Sequence, residues 1–435
     1  MQNSQTEDSN IYDNVVYNFS SDWAGKQFES VLDTKLPKFK KYKRSSIKSA
    51  GKFPVIDQGE VFISGYIDEE EGLYKGELPI IIFGDHTRKI KYVDFPFAIG
   101  ADGTKILKPK ADLDSRFFYY YLKSILIPPS GYSRHYKYLR EIEVPVPELD
   151  VQRQIVHKID TQLPRIKALQ GKINKAKLYL QKFRQSVLSA AVTGKLTEEW
   201  RESHSINSES LLERIHSLRH STKNKLPMSI AETDLPDIPK TWQWISVDAL
   251  ANTVVDGVHK TPEYVDEGIP FITVRNLTAG HGISFESCKY ISKKDHRAFT
   301  ARAKPERGDL IITKDGTLGV VRAVRTDTEF SIFVSVAMIK PVLYEMSDYL
   351  EIALSSPPVQ KQMVGVGSGL VHLVLRDLKS DGIPVPPFEE QQEITKKIKI
   401  MFDAADLIEK QIEIAEKRTD TLTQSILAKA FRGEL

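Results

Sequence analysis

Apolar residues recur every seven positions along two long stretches of the chain. These series are Ile159, Ile166, Ile173, Leu180 and Val187, and Ile398, Ala405, Ile412, Thr419 and Ile426. Interleaved with them are Leu169, Ala176, Phe183 and Ala190, and Met401, Ile408, Ala415 and Leu422. Alternating spacings of three and four residues are typical of a coiled-coil seam and predict two long helices. Pro164 is expected to kink or divide the first helix, and Gly194 and Gly433 to end the two helices.

The two stretches are copies of one unit. Residues 144–196 align with residues 383–435 without a gap, and 15 of the 53 pairs are identical, where random pairing gives roughly 3. Each copy begins with Val or Ile followed by Pro-Val-Pro and continues with a shared glutamine, Gln152 or Gln391. A repeat of this regularity indicates a duplicated structural unit.

Helices with matching seams bury them most economically against each other. A globular segment separates the two copies, so this pairing is antiparallel and places the two globular segments at opposite ends of a rod. The alternative is that each helix packs only on its neighbouring domain. The predicted fold is α+β, with two strand-rich α/β domains at the ends of a long antiparallel two-helix coiled coil and a pseudo-twofold internal duplication.

The predicted boundaries follow the changes in pattern along the chain. They are a disordered tail (1–22), a first globular domain (23–143), a central helical spacer (144–196), a connector (197–237), a second globular domain (238–382) and a C-terminal helical spacer (383–435). Short strands are expected in the first domain at 53–56, 61–63, 78–83 and 95–99, and a helix at 116–126. The second domain repeats this pattern faintly, since LIITKDGT (310–317) aligns with IIIFGDHT (80–87).

Composition narrows the function classes only modestly. The formal charge of +3 indicates that any basic surface is local. The single cysteine, Cys288, excludes an internal disulfide framework and suits a cytoplasmic protein. No apolar run approaches the 18 residues of a membrane span, and the polar first residues do not form a signal peptide.

The candidate functional residues are polar and basic side chains on glycine-containing loops. Donors and acceptors on such loops can enter a DNA groove and read base edges. The candidates are His86, Arg88, Lys89, Lys91, Arg134, His135 and Lys137 in the first domain, and His259, Lys260, Arg275, Asn276, Lys314, Gly367, Ser368 and His372 in the second. For each one the alternative is a solvated loop residue, and His86 and His135 could instead be structural histidines.

Signatures of catalysis and of metal binding are missing from the sequence. There is no phosphate-binding GxxxxGK[ST] loop, and Ser355-Ser-Pro-Pro358 lacks both ends of an Asn/Asp-Pro-Pro-aromatic methyltransferase tetrad. The histidines lack cysteine partners and zinc-protease spacing. The chain is therefore predicted to catalyse no reaction alone and to hold no metal.

The chain resembles the specificity subunits of type I restriction–modification systems. The resemblance is carried by the two Val/Ile-Pro-Val-Pro…Gln…Ile stretches, by Gly194-Lys-Leu-Thr-Glu-Glu-Trp-Arg and by Pro239-Lys-Thr-Trp-Gln-Trp. FGDHT and GADGT in the first domain and GDLIITKDGTLG in the second add to it. Pro164 and Gly171 depart from a continuous first helix.

The resemblance implies two target recognition domains, each reading one half of a split asymmetric site in double-stranded DNA. It also implies docking of two methyltransferase subunits and, through them, two restriction subunits, with no membrane partner. S-adenosylmethionine, ATP and Mg²⁺ would belong to those partners, and this chain would bind none of them. Two other functions stay open: a stand-alone bipartite DNA-binding regulator, and a coiled-coil protein adaptor without DNA binding.

Overall fold

The polypeptide divides into two units by its internal contacts. A computed structural model describes residues 19–101, 103–125, 127, 134–204, 209–222, 229–230, 234–363, 365 and 372–435. The first unit comprises Met1–Lys175 and Ile412–Leu435, and the second comprises Ala176–Gln411. Among the described residues, no helix combines the length and apolar character that a bilayer span requires. Residues 1–18 of the predicted disordered tail lie outside the described residues.

The described residues of the first unit form nine strands and two short helices ahead of its share of the long helices. The strands are β1 (Gly25–Gln27), β2 (Lys41–Tyr42), β3 (Phe53–Ile56), β4 (Gly65–Ile67), β5 (Ile80–Gly84), β6 (Ile90–Val93), β7 (Ala98–Gly100), β8 (Thr104–Leu107) and β9 (Glu143–Pro145). The helices are α1 (Ser115–Ser124) and α2 (Tyr136–Arg140), with 3-10 turns at Phe28–Val31, Arg44–Ser46 and Glu70–Gly72. The sheets have the strand orders β2-β7-β3-β4, β6-β5-β8 and β1-β9.

The second unit repeats this plan with additional helices. Its strands are β10 (Gln243–Ser246), β11 (Ala251–Asp256), β12 (Tyr264–Val265), β13 (Ile269–Ile272), β14 (Lys289–Ile291), β15 (Leu310–Thr313), β16 (Val321–Ala323), β17 (Ser331–Ile332), β18 (Val336–Pro341) and β19 (Gly382–Val385). They form sheets ordered β12-β14-β13-β17, β11-β18-β15-β16 and β10-β19.

The described residues also form two long helices and a series of short ones. The two long ones are α3 (Leu149–Val192) and α12 (Phe388–Phe431); between them lie α4 (Glu198–Ser203), α5 (Glu209–Thr222), α6 (Val247–Leu250), α7 (Val274–Thr278), α8 (Lys293–Thr300), α9 (Ser347–Ser355), α10 (Pro357–Gln360) and α11 (Leu375–Ser380). Further 3-10 turns lie at Lys195–Thr197 and Tyr344–Met346.

Strand pairing shows the duplication more clearly than the sequence does. β3 pairs antiparallel with β4 and parallel with β7, and β13 pairs in the same two senses with β14 and β17. β5 and β15 are both central strands in which every residue is buried. A short, continuous apolar run is typical of a strand covered on both faces. The predicted α+β fold with internal duplication is therefore confirmed.

Two of the predicted strands are placed differently in the structure. Residues 61–63 form a loop, and their side chains include Val61, which is 71% exposed. A β-branched and aromatic run satisfies strand propensity, but here these residues pair with no strand, and only Ile63 packs against the core. In the run at 95–99 the strand begins only at Ala98. The predictions at 53–56 and 78–83 correspond to β3 and β5.

The long helices each contain 44 residues, and α3 runs without a break through Pro164. Of the two outcomes expected at Pro164, division of the helix is wrong, and a kink stays a prediction. The proline ring is exposed, so the carbonyl that loses its amide partner can bond to water instead. Both helices end as predicted, because Gly194 and Gly433 take left-handed conformations with φ of 77° and 76°.

The two helices pair antiparallel in both units. In the first unit Lys158 Nζ donates to the Leu435 carbonyl, and Gln170 Nε2 donates to Asp420 Oδ1 at 3.3 Å. In the second unit Arg184 Nη2 lies 2.6 Å from Asp406 Oδ1, and Lys397 Nζ donates to the Leu196 carbonyl at 3.1 Å. In each unit, higher residue numbers on α3 meet lower numbers on α12 or its extension, which defines the antiparallel sense.

One of the two heptad series forms the contact between the helices. Its buried members are Ile159, Ile166, Val187, Ile398, Ala405, Ile412, Thr419 and Ile426, and Ile173 and Leu180 are half-buried. The predicted seam residues Ile408 and Leu422 are instead 53% and 46% exposed. The second series is buried only in part, because Leu169 and Phe183 are also exposed, whereas its other members are half-buried: Ala176, Ala190, Met401 and Ala415. The helix ends also join the domain cores, since Ile159 packs with Phe431 and Phe117.

Buried polar side chains fix the start of each long helix. Gln152 Nε2 donates to the Pro147 carbonyl at 2.7 Å, and its repeat, Gln391, donates to the Pro386 carbonyl at 2.9 Å. In the second unit the fully buried Glu390 accepts from Thr197 Oγ1 at 2.7 Å and from Arg201 Nη1 through Oε1. Its Oε2 accepts from Trp242 Nε1 at 2.8 Å. One carboxylate therefore joins the motifs after α3, before β10 and at the start of α12.

Candidate nucleic-acid interface

Asp85 joins three loop segments at the end of β5 in the first unit. Its backbone amide donates to the Gly103 carbonyl at 2.8 Å, and its own carbonyl accepts from the His135 amide at 2.8 Å. Its Oδ1 accepts from the Tyr136 amide at 2.8 Å, which anchors the first turn of α2. Asp85 is a turn-forming residue, and it brings together the candidate segments at 84–89 and 134–137 that the sequence separates by about fifty positions.

A fourth segment, which the sequence analysis missed, also meets this turn. Gln58 accepts from the His86 amide at 3.1 Å through Oε1 and from the Thr87 hydroxyl through its carbonyl. Glu60 Oε1 lies 2.6 Å from Lys89 Nζ. The sole signal in the sequence was a polar run, DQGE, directly after β3, and such runs follow many strands.

The first unit displays a group of exposed or partly exposed cations at this turn. Arg88 has a left-handed backbone (φ 60°) and donates from Nη1 to the Ile127 carbonyl at 2.8 Å. Arg134 and Lys137 are exposed, and Lys137 Nζ lies 5.0 Å from the centroid of the Tyr138 ring. His86 and Lys89 are partly exposed.

Two candidates of the first unit are buried and do not reach the surface. Lys91 is 5% exposed, and its ammonium donates to the Val61 carbonyl at 2.6 Å. His135 is 1% exposed, with Nδ1 3.0 Å from the Asp85 carbonyl oxygen. The sequence could not separate these residues from their exposed neighbours, because alternation along β6 decides which lysine points inward. Their predicted direct contact with DNA is corrected to a structural role.

The second unit builds the same arrangement at the end of β15. The Lys314 amide donates to the Ser335 carbonyl at 2.9 Å, and the Leu373 amide donates to the Lys314 carbonyl at 2.7 Å. Asp315 forms an isolated antiparallel bridge with His372. The strand end, the following turn and the segment before the next helix therefore meet here as they do around Asp85.

Asp256, at the end of β11, is the anionic centre of this second group of loops. Its carboxylate accepts from Arg302 Nη2, from Lys314 Nζ at 3.2 Å and from His259 Nε2 at 3.1 Å. Burial opposes its ionisation, yet the hydrogen bonds from Arg302 and Lys314 hold the pKa of Asp256 below its usual value. Asp256 was not among the sequence candidates, although it follows an apolar strand as Asp85 and Asp315 do.

The remaining candidates of the second unit divide between surface and interior. His259, Lys260, Arg275 and His372 are exposed, and Lys314 is largely buried against Asp256. Asn276 is buried and forms a capping box with Thr273, while its Nδ2 donates to the Ser284 carbonyl at 3.0 Å. Its predicted contact with bases is thus corrected to a helix-capping role. Gly367 and Ser368 lie outside the described residues.

One group of metal-type side chains occurs within the described part of the second unit. His281, Asp406 and Glu409 place their ligand atoms within 4.8 Å of one another. Arg184 donates from Nη2 to both carboxylates, at 2.6 and 2.9 Å. Arg184 therefore already forms ion pairs with both carboxylates, and His281 Nε2 lies 3.8 Å from Asp406 Oδ1 and 3.9 Å from Glu409 Oε2.

Comparison with protein families decides how these two groups of loops are interpreted. The family model for the type I restriction modification DNA specificity domain matches residues 20–178 and again residues 239–417. The chain belongs to the type I specificity-subunit family. Each matched specificity domain contains one of the two groups of loops, around Asp85 in the first and around Asp256 in the second.

Individual relatives agree with this assignment. The type I restriction enzyme EcoBI specificity subunit of Escherichia coli is 31% identical over 389 residues, covering 86% of this chain and 77% of that protein. The EcoKI specificity subunit of Escherichia coli K12 is 32% identical over 307 residues, covering 68% and 58%. A chain in the solved structure of an assembling type I R-M system shares the fold, with a TM-score of 0.55 at 15% identity over 97% of this specificity-family chain and 100% of that one.

Proposed function

We propose that this chain reads a split, asymmetric site in double-stranded DNA, one half with each specificity domain. The observation that carries the proposal is the repeated assembly of loops at the ends of β5 and β15, once in each matched domain. Divergent loops on a duplicated scaffold suit the recognition of two different half-sites. The matched family favours this function over a stand-alone regulator or a protein adaptor.

The exposed basic side chains of the two groups of loops are proposed to position the chain on the DNA backbone. These are Arg88, Arg134 and Lys137 in the first unit and His259, Lys260 and Arg275 in the second. Contacts of this kind neutralise phosphates and release counterions, so the affinity falls steeply with salt. The sequence is then read by side chains that reach base edges from the same loops.

The long helices are proposed to separate the two readers and to bind two methyltransferase subunits, which bring two restriction subunits into the complex. Exposed apolar side chains on the helices support a docking role; they are Leu169, Leu178, Tyr179, Phe183, Ile400, Leu407, Ile408, Ile414 and Leu422. Apolar surface of this extent commonly marks a protein interface.

Catalysis in this proposal belongs to the partners. S-adenosylmethionine, ATP and Mg²⁺ would be bound by the methyltransferase and restriction subunits. This chain would position a methyltransferase subunit at one adenine in each half-site. That adenine must leave the base stack to be methylated, which is the work of the methyltransferase pocket. The chain itself is proposed to supply position and sequence choice.

Domain-selective variants test the proposal. Arg134→Gln with Lys137→Gln should weaken binding and alter tolerance of base changes in one half-site, whereas Lys260→Gln with Arg275→Gln should act on the other. Each pair should lower the slope of log affinity against log salt by about 2 if both side chains meet phosphates. Lys167→Gln with Lys172→Gln, two exposed lysines on α3, is the matched charge control. Equal effects of all three pairs on both half-sites would refute the assignment.

A further inference from the structure

The loop between β3 and β4 displays an apolar tip in the first unit. Val61 is 71% exposed and Phe62 is 42% exposed. The Phe62 ring has partial support from Phe95, with 6.2 Å between ring centroids. Val61 is the more exposed of the two side chains, and the conformation of its backbone is fixed by the contacts described next.

A buried lysine holds this tip from below. Lys91 on β6 donates to the Val61 carbonyl at 2.6 Å and to the Phe62 carbonyl at 3.3 Å, and its Nζ lies 3.7 Å from Asp57 Oδ1. Burial lowers the pKa of Lys91, and the Asp57 carboxylate opposes that shift. Burying an ammonium is costly unless it is fully bonded, so these contacts hold the loop in one conformation.

Two residues of the same loop contact the turn formed by residues 84–89. Gln58 bonds to the His86 amide and the Thr87 hydroxyl, and Glu60 pairs with Lys89. Val61 therefore stands directly after Glu60, which pairs with Lys89 in the turn that also carries the exposed Arg88. An apolar side chain beside donors and cations is the chemistry that recognises the C5-methyl group of thymine in the major groove.

We propose that the loop formed by residues 57–62 is a preassembled DNA-reading element, in which Val61 contacts a thymine methyl group in the half-site read by the first domain. Lys91 is the positioning residue of this element, because it fixes the backbone that carries Val61. The proposal rests on the proposed function and adds to it an A·T preference at one base pair and a residue that reads it.

Replacing thymine with uracil, which removes only the methyl group, provides the direct test. The full chain is assembled with its methyltransferase partner, and binding is measured to duplexes with single uracil substitutions through the first half-site. At one position the wild-type complex should bind the uracil duplex roughly fourfold more weakly, the effect of uncovering one methyl-sized group. Val61→Ser should bind the thymine and uracil duplexes equally. Methyl dependence that survives in Val61→Ser, or is found at no position, would overturn the proposal.

Variants of Lys91 separate positioning from folding. Lys91→Met should lose the same methyl dependence, Lys91→Arg should retain part of it, and Val61→Ser with Lys91→Met should lose no more than either alone. Val265→Ser, at a 37% exposed valine in the second unit, should respond to uracil in the first half-site as the wild type does. If Lys91→Met fails to fold, the uracil series with Val61→Ser still decides. A wild-type complex that discriminates no half-site would instead refute the proposed function itself.

Discussion

Replacing Glu390 with glutamine is expected to destabilise the second unit by about 3 kcal/mol. The fully buried carboxylate accepts from Thr197 and Arg201 through Oε1 and from Trp242 through Oε2. A glutamine side chain offers one oxygen and one NH₂ group in their place. In either orientation the NH₂ group faces a donor, so at least one hydrogen bond is lost.

The magnitude follows from the less damaging orientation, with the amide oxygen toward Thr197 and Arg201. The indole N–H of Trp242 is then left without an acceptor in the interior, which costs about 1–3 kcal/mol. The bond to Arg201 also loses its charge assistance, which is worth about another 1 kcal/mol because this guanidinium is largely buried. For a unit of this size the sum lowers Tm by roughly 6–12 °C.

Tryptophan fluorescence during thermal and urea unfolding is a suitable assay. Trp200, Trp242 and Trp244 lie in the second unit, so its transition dominates the signal. Glu389→Gln is the matched control, because the neighbouring Glu389 is exposed and should change stability by less than about 0.5 kcal/mol. If Glu390→Gln were as stable as this control, the carboxylate would not be the junction described here.

Three further changes have defined outcomes. Asp256→Asn should release Arg302, Lys314 and His259 from the carboxylate. In anisotropy titrations the variant should bind non-specific DNA more tightly and with a steeper salt dependence, and it should discriminate less between base sequences in the second half-site only. Unchanged discrimination would contradict this role of Asp256. Burial raises the pKa of Asp381 to about 7, so the free energy of unfolding should fall by up to about 4 kcal/mol as pH rises from about 4 to about 7. In urea titrations Asp381→Asn should show a smaller fall over this pH range. An equally steep fall in the variant would contradict the raised pKa of Asp381. Inserting four residues into both α3 and α12 should move the two specificity domains apart by roughly 6 Å. Methylation mapping should then show a gap between half-sites that is longer by about one or two base pairs. An unchanged gap with altered half-sites would contradict the role of the helices as a spacer.

The duplicated parts of the fold could be predicted from sequence because local rules and long-range packing agree there. The heptad series, the glutamines at the helix starts and the glycines at the helix ends recur at one offset. The glutamines make similar contacts in both units, and the glycines take similar conformations. Asp85 lies in the turn after β5, a position where aspartate is common, whereas Asp315 forms an isolated bridge after β15.

Side-chain direction and burial were the parts that the sequence could not supply. Lys91, His135 and Asn276 have the residue types of a DNA interface, yet tertiary contacts turn each of them inward. Ile408 has a seam spacing but lies outside the strip that two helices bury. Gln58 and Asp256 organise the loops through contacts with residues far along the chain, and a single sequence carries no signal of those pairings.

The most direct test of the central claim is adenine methylation mapping of DNA from cells that carry this chain with its methyltransferase partner. The account predicts an asymmetric split motif that is methylated once on each strand and is lost when the gene for this chain is deleted. Methylation that stays unchanged after the deletion, with the methyltransferase shown to be active, would contradict the claim that this chain chooses the site.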